Sequence, residues 1–165
     1  MPTEKLFLHD AYLTSAEATV IGHTEDGGLA LDRSLFYATS GGQPGDTGWL
    51  ETADGAHIDI ETARYLDPQK TEIVLTPKPG AALPPVGAIV VQHLDWKPRY
   101  RRMRIHTGLH LLSAVLPFPV TGGAIGDDEG RLDFDLTGEQ PDRAAAEGAL
   151  NALIQGDHAV STEWI

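Results

Sequence analysis

No cysteine occurs in the 165 residues, so disulfides and thiolate metal ligands are both excluded, a usage that fits a reducing cytoplasm. Positive charge is scarce as well: 12 Lys and Arg stand against 24 Asp and Glu, a formal net charge of -12. A phosphate backbone would be repelled on average, which argues against generic nucleic-acid binding and against DNA as a partner. Long apolar runs are missing too. Nothing approaches the roughly 18 residues of a membrane span and nothing at the N-terminus resembles a signal peptide, so the expectation is a cytoplasmic protein with no membrane partner. Internal repeats and low-complexity segments are absent, and 41% hydrophobic content is ordinary for a soluble core that folds without staples.

Turn punctuation dominates residues 1 to about 90. Short runs of strand character, Ala16 to Ile21, Leu29 to Leu31, Ser34 to Tyr37, His57 to Tyr65, Thr71 to Leu75 and Ala88 to Leu94, are separated by Asp26-Gly27-Gly28, by Asp54-Gly55 and by a stiff loop carrying Pro77, Pro79, Pro84 and Pro85. Six such strands without a helical window predict a small closed or nearly closed barrel. Past Trp96 the pattern changes. A helix is predicted from about Arg104 to Leu116, a Gly-rich stretch over Thr121 to Gly126, an alternating strand from Arg131 to Leu136, a helix from about Asp142 to Gln155 and a strand from Ala159. The fold class expected is therefore α+β, with a barrel over 1–90 and a second unit over 91–165.

Two segments carry chemistry. In the first helix, Ile105, Leu109, Leu112 and Leu116 form one apolar stripe, and His106 and His110, at i and i+4, point the same way, as half of a zinc site would require. Two partly buried, hydrogen-bonded histidines are the plainer alternative. A thermolysin-like protease is disfavoured, because Thr107 follows the first histidine where that chemistry needs Glu. In the second segment, Ser34 to Gly48, four glycines and Pro44 surround a single amide side chain, Gln43. Such density forces backbone turns that only Gly tolerates and leaves N–H groups open to a ligand, unless the segment is simply a tight structural turn. Five of the twelve cations, Lys97, Arg99, Arg101, Arg102 and Arg104, precede the histidines together with Trp96 and Tyr100. They read either as a basic collar that holds phosphates or as a solvated connector balancing acidic neighbours.

Taken together, Phe36-Tyr-Ala-Thr-Ser-Gly-Gly-Gln-Pro-Gly-Asp-Thr-Gly48, His106-Thr-Gly-Leu-His-Leu-Leu112 and Gly126-Asp-Asp-Glu-Gly-Arg-Leu-Asp-Phe-Asp135 resemble the editing domain of alanyl-tRNA synthetase, and more closely the free-standing AlaX-type alanyl-tRNA editing proteins. The resemblance covers nearly the whole chain. It implies a glycine-rich β-barrel followed by the N-terminal part of an α/β editing core shared with threonyl-tRNA synthetase. It also implies an aminoacyl-tRNA deacylase that hydrolyses, in trans, the ester of alanine tRNA mischarged with Ser or Gly. A synthetic site that selects a small amino acid cannot reject Ser or Gly strongly, so a second, hydrolytic site supplies the discrimination. By the same resemblance Gln43 is the catalytic-pocket amide, Ser34 binds substrate and His106 and His110 are two ligands of one zinc ion; Gly41, Gly42 and Thr107 beside them are expected to bind substrate, and the collar residues Lys97, Arg99, Arg101 and Arg102 to face tRNA.

Family members complete that metal site with a downstream Cys-x-x-x-His pair, which this sequence lacks. Two of the usual zinc ligands are thus missing, and His158 does not fit the motif. The chain reads as truncated before that pair, with apolar Trp164-Ile165 ending an interrupted strand. Two further readings stand beside the editing hydrolase. One is a catalytically incomplete module that binds tRNA or an aminoacyl-adenosine. The other is a fragment that pairs with a second copy, as a homodimer, through its terminal strand.

Overall fold

The computed structural model describes residues 2–136, 138 and 140–161. In chain order the elements are β1 (Glu4–Lys5), α1 (Leu6–His9), β2 (Ser15–His23), β3 (Leu29–Leu31), β4 (Arg33–Ser34), β5 (Gly48–Thr52), β6 (His57–Tyr65), β7 (Ile73–Pro77), β8 (Ile89–Leu94), α2 (Trp96–Val115), β9 (Val120–Ile125), β10 (Gly130–Phe134) and α3 (Arg143–Gln155). The chain is α+β and divides into two compact units, Met1–Tyr100 and Arg101–Ile165. No described helix is long and apolar enough to cross a membrane.

In the first unit, strands β2, β3, β7, β6, β5 and β8 close into a barrel in that order, with β8 returning to pair antiparallel with β2 from Ser15↔His93 to Thr19↔Ile89. The closed barrel expected from the turn spacing is present. Side chains alternate across each strand, so one phase faces inward. Ala18 and Val20, Leu29 and Leu31, Leu50, Ile58 and Ile60, Ile73 and Leu75, and Val90 and Leu94 fill a single buried cluster. Gln92 shares the inward phase of β8 at 0% exposure. Its amide is used on both sides, since Oε1 accepts from Leu35 N at 3.0 Å and Nε2 donates to the Arg33 carbonyl at 3.3 Å.

That amide explains one departure from the sequence reading. The strand expected over Ser34 to Tyr37 is reduced to β4, which pairs in parallel with β1. Beyond it, Leu35 N is taken by Gln92, Phe36 N by Ser34 Oγ at 3.1 Å and Tyr37 N by Asp46 Oδ2 at 2.6 Å. Side chains thus satisfy the backbone donors that a ladder would have used. The barrel strand that the sequence reading passed over is β5, which starts inside the glycine-rich run. Gly48 is required there, because a Cβ would lie 2.1 Å from the His93 carbonyl oxygen.

In the second unit, β9 and β10 form an antiparallel hairpin with Ile125↔Gly130 next to its loop. The stretch read only as Gly-rich is therefore a strand. Gly130 lies against the α2 stripe: a Cβ there would meet Ile105 Cγ2 at 2.5 Å and Leu109 Cδ1 at 3.1 Å. Helix α2 begins at Trp96 rather than near Arg104, so the basic segment is helical. Pro98 falls in its first turn, where a missing N–H removes no helical bond. Helix α3 is capped by Asp142, whose carboxylate accepts from Ala144 N at 2.9 Å and Ala145 N at 3.2 Å. The strand expected from Ala159 falls partly on 162–165, outside the described residues, and 159–161 are in no strand.

Candidate functional site

The glycine-rich segment of the first unit is a hairpin-like turn held from behind. Ser40 and Gln43 exchange both backbone hydrogen bonds, at 3.1 and 3.0 Å, around Gly41 and Gly42, whose φ angles are +58° and +77°. Both positions need the left-handed region, so only Gly enters without strain. The exchange leaves the N–H groups of Gly41 and Gly42 outside its own bonds. Gly45 is small for a different reason: a Cβ would sit 2.3 Å from the Ala63 carbonyl oxygen and 2.8 Å from its nitrogen, against β6.

Gln43, which follows the two glycines, is 6% exposed. Its side-chain amide makes no hydrogen bond with any other group among the described residues. The residue is buried, yet its amide nitrogen and oxygen reach solvent, so they carry no unmade-bond penalty and are available to a ligand beside a turn with open N–H groups. Ser34, by contrast, is 1% exposed and its hydroxyl is engaged locally, accepting from Phe36 N and donating to the Phe36 carbonyl at 3.2 Å.

A buried ion pair fixes the far end of this segment. Arg99 donates from Nε at 2.9 Å and Nη2 at 2.5 Å to Asp46 Oδ2, and Nη2 also reaches the Leu35 carbonyl at 2.8 Å. The two side chains are 5% and 1% exposed. Since Asp46 Oδ2 also accepts Tyr37 N, one carboxylate ties Arg99, the end of the glycine run and the segment after β4 together within the first unit. The remaining collar residues differ in setting. Lys97 is exposed, whereas Arg101 is exposed and paired with Asp128 at 3.0 Å. Arg102 is buried and paired with Asp127 at 2.7 Å. Thr107 is exposed and donates to the Met103 carbonyl at 3.1 Å.

On the second unit, the rings of His106 and His110 stack with centroids 4.8 Å apart and planes 19° from parallel. They share one face, as the i, i+4 spacing requires. Burial, and then the nearby His110, hold the pKa of His106 below its ordinary value, so the neutral, ligating form is favoured. Among the described residues no group of three or more His, Asp or Glu is placed to hold a metal ion. The donor chemistry fits two positions of a zinc shell and no more.

No family model matches the chain. Individual proteins do. It is 37% identical to an alanyl-tRNA editing protein AlaX-M of Methanosarcina mazei over 96% of this chain and 66% of that protein, and 36% identical to the AlaX-M protein of Methanosarcina acetivorans over 96% and 68%. The chain belongs to the AlaX-M family of alanyl-tRNA editing proteins. It spans about two thirds of the length of these relatives. It is also 37% identical to an alanine–tRNA ligase of Pyrobaculum arsenaticum over 67% of this chain and 12% of the ligase.

Within that family frame, the structure brings Gln43, Gly41 and Gly42 together in one turn and His106 with His110 on one helical face, while Ser34 is buried and bonded to Phe36. Asp46 was not singled out from the sequence. The available signal was a carboxylate enclosed by Gly45 and Gly48, where few side chains have room. Its partner Arg99 looked like one of five similar cations; burial separates it from Lys97 and Arg101, and a partner that is itself buried separates it from the equally buried Arg102.

Proposed function

We infer that this chain is an aminoacyl-tRNA deacylase that clears Ser, or Gly, from mischarged alanine tRNA in trans, in the cytoplasm. In this reading the barrel is the glycine-rich N-terminal part and the unit from Arg101 onward the beginning of the α/β editing core. The observation that carries it is the Gln43 amide, bonded to no other group among the described residues and open to solvent, set beside two glycines with open N–H groups, in a member of an editing family. Ester hydrolysis needs donors aimed at the carbonyl oxygen where charge develops, and a positioned water. Gln43 and the Gly41 and Gly42 amides are donors of that kind, and the Gln43 carbonyl can orient water. His106 and His110 would hold zinc, which when bound supplies charge stabilisation or an activated water. Lys97 and Arg101 would meet tRNA phosphates, exchanging carboxylate for phosphate in the case of Arg101.

A second reading is favoured by the metal donors: with two imidazoles and no third ligand among the described residues, the chain would bind tRNA or aminoacyl-adenosine without turnover. Pairing of two copies is compatible with either and is read by sedimentation. Deacylation of alanine tRNA charged with serine, measured beside Gln43→Ala, separates the two. Turnover that falls with the substitution supports the hydrolase; binding without turnover supports the module.

A further inference from the structure

Beside the glycine turn lies a pair of lysines for which neither the motifs nor the metal site has a use. Lys5, on β1, donates from Nζ to the Lys70 carbonyl at 2.7 Å, and Lys70 donates from Nζ to Ser40 Oγ at 2.6 Å. Both ammonium groups approach the ring of Tyr65, at 5.2 and 6.0 Å from its centroid. Tyr37, whose hydroxyl donates to the Ser40 carbonyl at 3.2 Å, completes the link to the turn. Ser40 opens the Ser40–Gln43 exchange, so this cluster and the Gln43 amide are attached to the same four residues.

Seven of the twelve Lys and Arg have a carboxylate partner among the described residues. Arg33, Arg64, Lys78, Arg99, Arg101, Arg102 and Arg131 each have a carboxylate within 4.0 Å. Lys5 and Lys70 have none among the described residues; Lys97 and Arg143 share that, but only Lys5 and Lys70 are drawn together over one ring. The neighbouring Asp67 is turned to its own loop, accepting from Thr71 N and Glu72 N. Lys70 also holds a φ of +58°, a conformation that costs a non-glycine residue energy and here directs the side chain onto Ser40. Two ammonium groups over one aromatic ring beside a hydroxyl, with the nearby Asp67 carboxylate committed to backbone N–H groups, are the chemistry of an anion site.

We propose that Lys5, Lys70, Tyr65 and Ser40 form a binding site for backbone phosphate at the single-stranded 3′ end of an RNA. This rests on the editing reading, in which the ester carried by the terminal ribose lies at Gln43 and the preceding phosphates lie beside the turn. The cluster then supplies local attraction that the net charge of the chain denies elsewhere.

The probe is a fluorescein-labelled seven-nucleotide RNA ending in CCA-3′, titrated with the whole chain across a salt series. Replacing both lysines (Lys5→Gln with Lys70→Gln) is expected to weaken binding about eightfold per phosphate contact at 50 mM salt and to lower the slope of log affinity against log salt by about 0.7 per contact. Lys70→Arg, which keeps the charge, should stay near the parent, and unchanged melting temperatures establish that the fold is intact. Parent-like affinity and slope in the doubly substituted chain would overturn the proposal, as would failure of the parent to bind the RNA. Inorganic phosphate that competes at concentrations comparable to the RNA would assign the site to a free anion instead. Deacylation by the parent is a separate measurement: its absence would remove the editing reading and leave the RNA result standing.

Discussion

Replacing Arg99 by Met removes the guanidinium from Asp46 while keeping most of the aliphatic volume. The Asp46 side chain is 1% exposed and that of Arg99 5%, so water cannot take the place of the lost cation without opening the barrel unit. Breaking a buried pair from one side costs about 3–5 kcal/mol, and the hydrogen bond to the Leu35 carbonyl is lost as well. At about 4–8 °C per kcal/mol for a unit of this size, the melting temperature should fall by at least roughly 12 °C. Thermal and urea unfolding followed by circular dichroism read this directly. Adding Asp46→Asn should recover part of the loss, since the buried negative charge goes with it. The reasoning fails if Arg99→Met melts within about 2 °C of the parent and instead flattens the salt dependence of RNA binding. That outcome would make Arg99 the surface phosphate contact that its place in the basic segment suggests.

Gly45→Ala should destabilise by about 1–3 kcal/mol or more, because its Cβ would press on the Ala63 backbone, which cannot move without disturbing β6; a shift in the urea midpoint checks it, and a silent substitution would show the turn is loosely packed. Because burial lowers the His106 pKa from its ordinary 6.5, the unfolded chain binds the proton more tightly. The stability from this group is then complete above the unfolded value and is lost as pH falls through the folded one, so unfolding midpoints should drop with acid less steeply in His106→Gln. Zinc should bind weakly by calorimetry at pH 7.5, more weakly at pH 5.5 and not at all in His106→Ala. Tight binding that survives that substitution would place the metal elsewhere.

Periodicity and turn residues made the barrel legible. The edges of β3 and β6 fall where the alternation of Leu29 to Leu31 and His57 to Tyr65 begins and ends, and Gly27 and Gly55 take the positive φ of their turns. What escaped depends on side chains far apart in sequence. Ser34 to Tyr37 has strand composition, yet Gln92 and Asp46 capture its donors, and neither partner can be read from local pattern. Strand β5 was hidden because Gly48 and Trp49 belong to a run whose glycines signal turns, although Gly48 is there to let β8 approach. The imidazole pair was legible because helical spacing alone sets its shared face. The Lys5 and Lys70 cluster was not, since it joins residues from β1, the loop after β6 and the glycine turn.

The central claim is that the Gln43 turn performs ester hydrolysis. Its most direct test is the rate at which the chain, with and without added zinc, releases serine from alanine tRNA charged with serine, compared with Gln43→Ala and with correctly charged alanine tRNA. The expected result is release above the uncatalysed rate, a fall of roughly 10²–10³ in Gln43→Ala at an unchanged melting temperature, and sparing of the alanyl ester. Equal rates for the chain and for Gln43→Ala would contradict it.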